Sequence, residues 1–133
     1  MNTYYVNDNE FYESEIYQNY LNDNPTFGML KIRAYAANQA IPIKDMNIII
    51  YKIIDNDKII FYEGTTNESG VIEKIKLPAP YLNNDDMKIP NKATYILDAN
   101  YLNENFNLKY NINMYENVCV VQNINIIPNM GGN

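Results

Sequence analysis

Thr65-Thr66-Asn67-Glu68-Ser69-Gly70 interrupts a region, from Gly28 to Leu77, that is otherwise written as short β-runs, three before the break and one after it. Asn and Gly at such a break supply the backbone freedom a tight turn needs. The pattern predicts antiparallel strands joined closely, in a rigid module rather than around a catalytic cleft.

Upstream of the turn, Leu30-Lys31-Ile32-Arg33-Ala34 alternates apolar and charged residues, as a strand with one wet face does. Asn38 to Asp45 contains Pro42 and reads as a connection, with Ile41 and Ile43 covering the edge of the core. Asn47 to Ile54 is nearly continuous in β-branched residues and predicts a central strand. Asp55-Asn56-Asp57 predicts a hairpin turn into Lys58 to Gly64. Downstream, Val71, Ile75 and Leu77 carry the next strand, which Pro78-Ala79-Pro80 ends.

Three further strands follow a long loop, Tyr81 to Lys92. Tyr95, Leu97, Ala99 and Tyr101 alternate with Ile96, Asp98 and Asn100; Phe106, Leu108, Tyr110, Ile112 and Met114 alternate with polar residues. In the last run Val118, Val120, Ile124 and Ile126 face one way, and Cys119, Val121, Asn123 and Asn125 the other. About seven short strands with turns between them predict an all-β, antiparallel sandwich. Its core is expected from Leu30, Ile32, Ile48, Ile50, Leu97, Tyr101, Leu108, Tyr110, Val120 and Ile124. Each is worth about 1.5–3 kcal/mol when fully buried.

The first 26 residues differ: Tyr4, Tyr5, Tyr12, Tyr17 and Tyr20 stand among Asn, Asp and Glu, with no lysine or arginine. Ile16, Tyr17, Tyr20 and Leu21 have helical spacing, and Asn22-Asp23-Asn24-Pro25 would stop that helix. The segment reads either as a solvated acidic leader or as an arm that docks on a neighbour, since a solvated linker needs no aromatics. The expected division is an arm over 1–26, a sandwich domain over 27–128 and a loose tail over 129–133.

Composition narrows the chemistry. The chain has 133 residues, enough for one domain, and a net charge of −6 that repels phosphate backbones, so no nucleic-acid partner is expected. It has no histidine, which removes Ser-His-Asp and Cys-His catalysis and the commonest zinc ligand. The acids are scattered through loops and turns, so no enzyme activity and no cofactor are expected. The abundance of Asn and Ile is the bias of an AT-rich genome. The Met1 start carries no secretory signal pattern, and no apolar run reaches the roughly 18 residues of a membrane span. The expectation is a chain made in the cytoplasm, or a piece of something longer, without a membrane partner.

The order of these features resembles the carboxypeptidase-regulatory-like domain, a transthyretin-like (prealbumin-like) module. The resemblance is carried by Gly28 to Ile32, Ala40-Ile41-Pro42-Ile43, Met46 to Ile50, the Thr65 to Gly70 turn, Leu77-Pro78-Ala79-Pro80 and Ala93 to Tyr101. One departure is Asn100-Tyr101, where the family commonly has Gly-Tyr. With the closing Gln122-x-Ile124-x-Ile126-Ile127-Pro128, the chain looks most like modules of anaerobic endospore formers. Those modules accompany cortex-lytic or peptidoglycan-binding proteins and small spore-surface proteins. The resemblance implies a seven-strand antiparallel Greek-key sandwich with an N-terminal extension, and no catalytic residues.

Related sandwiches close an isopeptide bond, and Lys31, Asn125 and Asp98 lie on the matching strands. Lys31 and Asp98 alternate with apolar neighbours and should point outward, which argues against the bond: it needs a desolvated lysine and a protonated carboxyl. Asp85-Asp86 lacks the ligand series of a calcium site. Assembly is the better candidate. Thr3-Tyr4-Tyr5-Val6 could add to a sheet edge of a neighbouring subunit, with Tyr17 and Tyr20 completing the arm. The lone Cys119 reads as a small, partly buried thiol or as an intermolecular cross-link. The expected function is a non-catalytic structural protein of the spore surface, self-assembling into a homo-oligomer, polymer or filament, with spore-coat proteins or peptidoglycan as possible partners. The alternative is a recognition or spacer domain of a cortex-lytic or peptidoglycan-binding protein.

Overall fold

The computed structural model describes residues 1–82, 90–103 and 105–127. The Asp85-Asp86 pair, the boundary at Pro128 and the tail over 129–133 lie outside them. The elements run β1 (Thr3–Tyr5), α1 (Asn9–Tyr12), α2 (Glu15–Asp23), β2 (Thr26–Ala36), β3 (Ile41–Pro42), β4 (Asn47–Ile54), β5 (Asp57–Thr65), β6 (Val71–Ala79), β7 (Ala93–Tyr101), β8 (Phe106–Met114) and β9 (Cys119–Ile126).

Two sheets form an all-β core. One has the order β1-β5-β4-β7-β8; in the other, β2 is central, with β6 and β3 pairing along it and β9 paired to it as well. Neither sheet is purely antiparallel, because β1 runs parallel to β5 and β9 runs parallel to β2. The expected wholly antiparallel pairing is corrected on this point: alternation shows which face a strand buries but not which neighbour it takes.

The Thr65 to Gly70 turn is also corrected. It joins β5 to β6, which belong to different sheets, so it is a crossover between layers rather than a hairpin. Its chemistry is the expected one. Asn67 Oδ1 accepts from the N–H of Ser69 at 2.9 Å and of Val71 at 3.0 Å. Gly70 has φ +74°, and a Cβ there would lie 2.4 Å from the Ala34 carbonyl oxygen. The buried Thr66 hydroxyl accepts from Met46 N–H at 3.0 Å and donates to the Ile43 carbonyl at 2.6 Å. It therefore ties the crossover to the start of β4.

The β4–β5 hairpin turns on Asp55 and Asn56, both at positive φ (49° and 67°), the geometry whose twist matches two flanking strands. Between the sheets, Leu30, Ile32, Ile48, Ile50, Leu97 and Ile124 are buried as expected. Tyr101, Leu108, Tyr110 and Val120 are only half-buried at the margin of that core. Tyr95, Met46, Leu77, Ile112 and Met114 occupy its centre. Ile43 turns inward, but Ile41 is 54% exposed and covers nothing, because it sits on a two-residue edge strand.

Candidate assembly surfaces

The N-terminal segment is folded against its own chain. Ser14 caps α2, its hydroxyl accepting from Tyr17 N–H at 3.3 Å, and the helix ends at Asn24 where the sequence predicts a stop. Asp8 caps α1 in the same manner, accepting from Glu10 N–H. In β1, Thr3, Tyr4 and Tyr5 lie in register with Lys58, Ile59 and Ile60. Lys58 N–H donates to Asn2 O at 2.8 Å and Val6 N–H to Ile60 O at 3.0 Å.

Aromatic packing holds the arm down. Tyr4 stacks on Phe11 at 4.9 Å, Phe11 lies 5.6 Å from Tyr17, and Tyr17 and Tyr20 both pack on Phe61, at 6.0 and 5.5 Å. Phe61 meets Tyr95 edge-on at 4.9 Å. Phe11, Tyr17 and Ile59 form a small second core, and Tyr20 and Phe61 touch both this cluster and the main one. Phe61 reaches both because a bulge in the β4–β5 ladder leaves it without a partner between Ile60 and Tyr62. Burial raises the phenol pKa of Tyr17 and of Tyr20 to about 12, and pushes that of Tyr95 up as well. Lys52 sits beside this cluster, its Nζ donating to Thr94 O at 2.6 Å, and burial lowers its pKa.

Of the residues expected in an assembly arm, Thr3 and Tyr5 are exposed, Tyr4, Val6 and Tyr20 are half-buried, and Tyr17 is buried. A solvated leader is therefore not what the structure shows. Phe11, Phe61 and Tyr95 were not among the expected arm contacts. The spacing of Ile16, Tyr17, Tyr20 and Leu21 did signal a helix with one apolar face; where that face docks depends on the bulge at Phe61.

The sheet edges differ in protection. β6 carries Glu73, Lys74, Lys76 and Pro78, and β8 carries Lys109 among asparagines. On β5, the β1 register covers only Lys58 to Ile60; beyond it lies a groove of about 540 Å³ lined by Tyr5, Asn7 and Ile60 to Glu63. β9 pairs with β2 on one side and, among the described residues, with no strand on the other. Its eight residues, Cys-Val-Val-Gln-Asn-Ile-Asn-Ile, contain neither charge nor proline. Val121 is 51% exposed, and Cys119 is a free, exposed thiol rather than a partly buried one.

The isopeptide candidates are not brought together. Lys31 is on β2 with its Nζ 3.2 Å from Glu73, whereas Asp98 is on β7 of the other sheet with an oxygen 3.4 Å from Lys109 Nζ. Asn125 is exposed on β9. Among the described residues there is no group of three or more His, Cys, Asp or Glu that could hold a metal ion. Nor is any helix there long and apolar enough to cross a membrane.

Compared with known proteins, the chain matches no family model and no curated protein. The family resemblance rests on the quoted motifs.

Proposed function

We propose that this chain is a non-catalytic structural module that self-associates through strand edges, with its N-terminal arm folded back to complete the sandwich. The observation that carries this reading is β9. Sheet proteins blunt their edges with charge, proline or a covering element, because an open ladder pairs with another chain. β6 carries charge and a proline, β8 carries Lys109, and β1 covers Lys58 to Ile60 of β5, whereas among the described residues β9 has none of these protections. Its outward side chains, Cys119 and Val121, suit a contact and not a solvated face. The resemblance to modules of spore-associated proteins supports a place on the spore surface.

Light scattering and electron microscopy of the purified chain under reducing conditions test the reading. The wild-type chain is expected to associate with rising concentration, and Val121→Lys, a charge on the open edge, to keep it monomeric without changing its circular dichroism. A wild-type chain that stays monomeric at high concentration refutes it.

A further inference from the structure

Two surfaces of the molecule carry opposite charge. The outward face of the β2 sheet presents Lys31 and Arg33 from β2 and Lys74 and Lys76 from β6, against the carboxylate of Glu73 alone. On β9, the outward residues Cys119, Val121, Asn123 and Asn125 add no charge. Such a face is unusual on a chain whose net charge is −6. The arm is the reverse: residues 1–26 contain Asp8, Glu10, Glu13, Glu15 and Asp23 and no lysine or arginine. All five acids are exposed. Among the described residues, Glu10, Glu13, Glu15 and Asp23 enter no ion pair, and neither do Arg33 and Lys74.

We propose that the basic face of the β2 sheet is the docking site for the acidic N-terminal arm of a second copy of this chain. The inference rests on the self-association argued above and gives it a direction. Complementary charge steers encounter and fixes orientation, while like charges suppress the competing arrangements. Two basic faces repel one another, as do two acidic arms, so a face-to-face dimer is disfavoured. An arm-to-face contact joins different surfaces of the two partners. It leaves a free arm at one end of each pair and a free face at the other, so it propagates unless the rotation closes a ring. Cys119 and Val121 lie on the same face beside Met29, Lys31 and Lys74. The docked arm would therefore cover apolar surface next to the open β9 edge.

The test uses charge reversal on full-length protein under reducing conditions at low ionic strength, with association followed by light scattering. One variant carries Arg33→Glu and Lys74→Glu; the other carries Glu10→Lys and Glu13→Lys. Thermal melts establish that both are folded. Each variant alone is expected to need at least about tenfold more protein than wild type to associate, and an equimolar mixture to recover wild-type association. Raising salt to about 0.5 M, where charges are screened within a few ångströms, weakens wild-type association. If wild type associates and the reversed variants associate as it does, or their mixture recovers nothing, the arm-to-face contact is wrong and association through β9 stands. If wild type does not associate at all, the self-association reading fails and this contact with it.

Discussion

The hydroxyl of Tyr20 donates to the hydroxyl of Tyr95 at 2.9 Å, and Tyr95 in turn donates to the carbonyl of Pro78 at 2.5 Å. Tyr20 belongs to α2, Tyr95 to β7 in one sheet and Pro78 to β6 in the other. Two hydrogen bonds thus fasten the arm to both layers of the sandwich. The chain is buried where it crosses the core, so an unpaired member is costly. Tyr95→Phe leaves both the Pro78 carbonyl and the Tyr20 hydroxyl without this partner, and should destabilise by about 1–3 kcal/mol. Tyr20→Phe removes the outer bond alone and should cost about 0.5–1.5 kcal/mol. Denaturant melts of the two single variants and the double variant measure the coupling, which is expected to be non-additive.

The crossover between the sheets depends on two small features. Gly70→Ala places a methyl against backbone, 2.4 Å from the Ala34 oxygen, at φ +74°. Thr66→Val keeps the shape but strands Met46 N–H and Ile43 C=O, both bonded to the Thr66 hydroxyl. Each substitution should lower stability by at least about 2 kcal/mol, read as a shifted urea midpoint with an unchanged slope.

Alkali should loosen the arm before it unfolds a chain of ordinary tyrosines. The phenols of Tyr17 and Tyr20 rise from 10.0 to about 12 in the folded chain, and burial is the main cause for each. The folded state then holds protons that the unfolded state has released, so their contribution is complete below pH 10 and is lost as pH rises toward 12. Tyr62, Tyr95 and Tyr110 are shifted the same way. Lys52, with its pKa lowered, acts in the opposite sense, but it stands against several phenols. Stability measured against pH is expected to be level near neutrality and to fall steeply across that window. Tyr17→Phe should flatten the fall.

Deleting residues 1–25 uncovers Ile59 and Phe61, which the arm packs against. The truncated chain is expected to melt lower and to bind a hydrophobic dye that the full chain does not. An unchanged melt would mean that the arm contributes nothing to the fold.

Much of this architecture is legible in the sequence, and the exceptions share a cause. Alternation along Tyr95 to Tyr101, Phe106 to Met114 and Val120 to Ile126 gives the strands and their inward faces, because side chains on a strand alternate strictly, whereas Val118, expected on the same face, precedes β9 and is exposed. Alternation carries no information about which strand lies alongside, so the parallel β2–β9 and β1–β5 pairs and the β5–β6 crossover are visible only in three dimensions. The helix over Glu15–Asp23 is legible from its spacing and from the stop at Asn22 to Pro25. Its docking site is not, since a bulge at Phe61 breaks the alternation that would have revealed it. As for the assembly surfaces, Cys119 and Val121 are placed outward by the pattern of β9 itself. That β9 has no second strand partner among the described residues, and that Arg33 and Lys74 share its sheet face, follows from topology.

Pairing of β9 with another chain is read out residue by residue by amide hydrogen exchange, measured below and above the association concentration. Amides of Cys119 to Ile126 that lack a partner in the single chain should become protected on association, while those of β6, with its charged residues and proline, keep their exchange rates. Association that leaves the β9 amides exchanging as in the monomer would show that β9 does not pair with another chain.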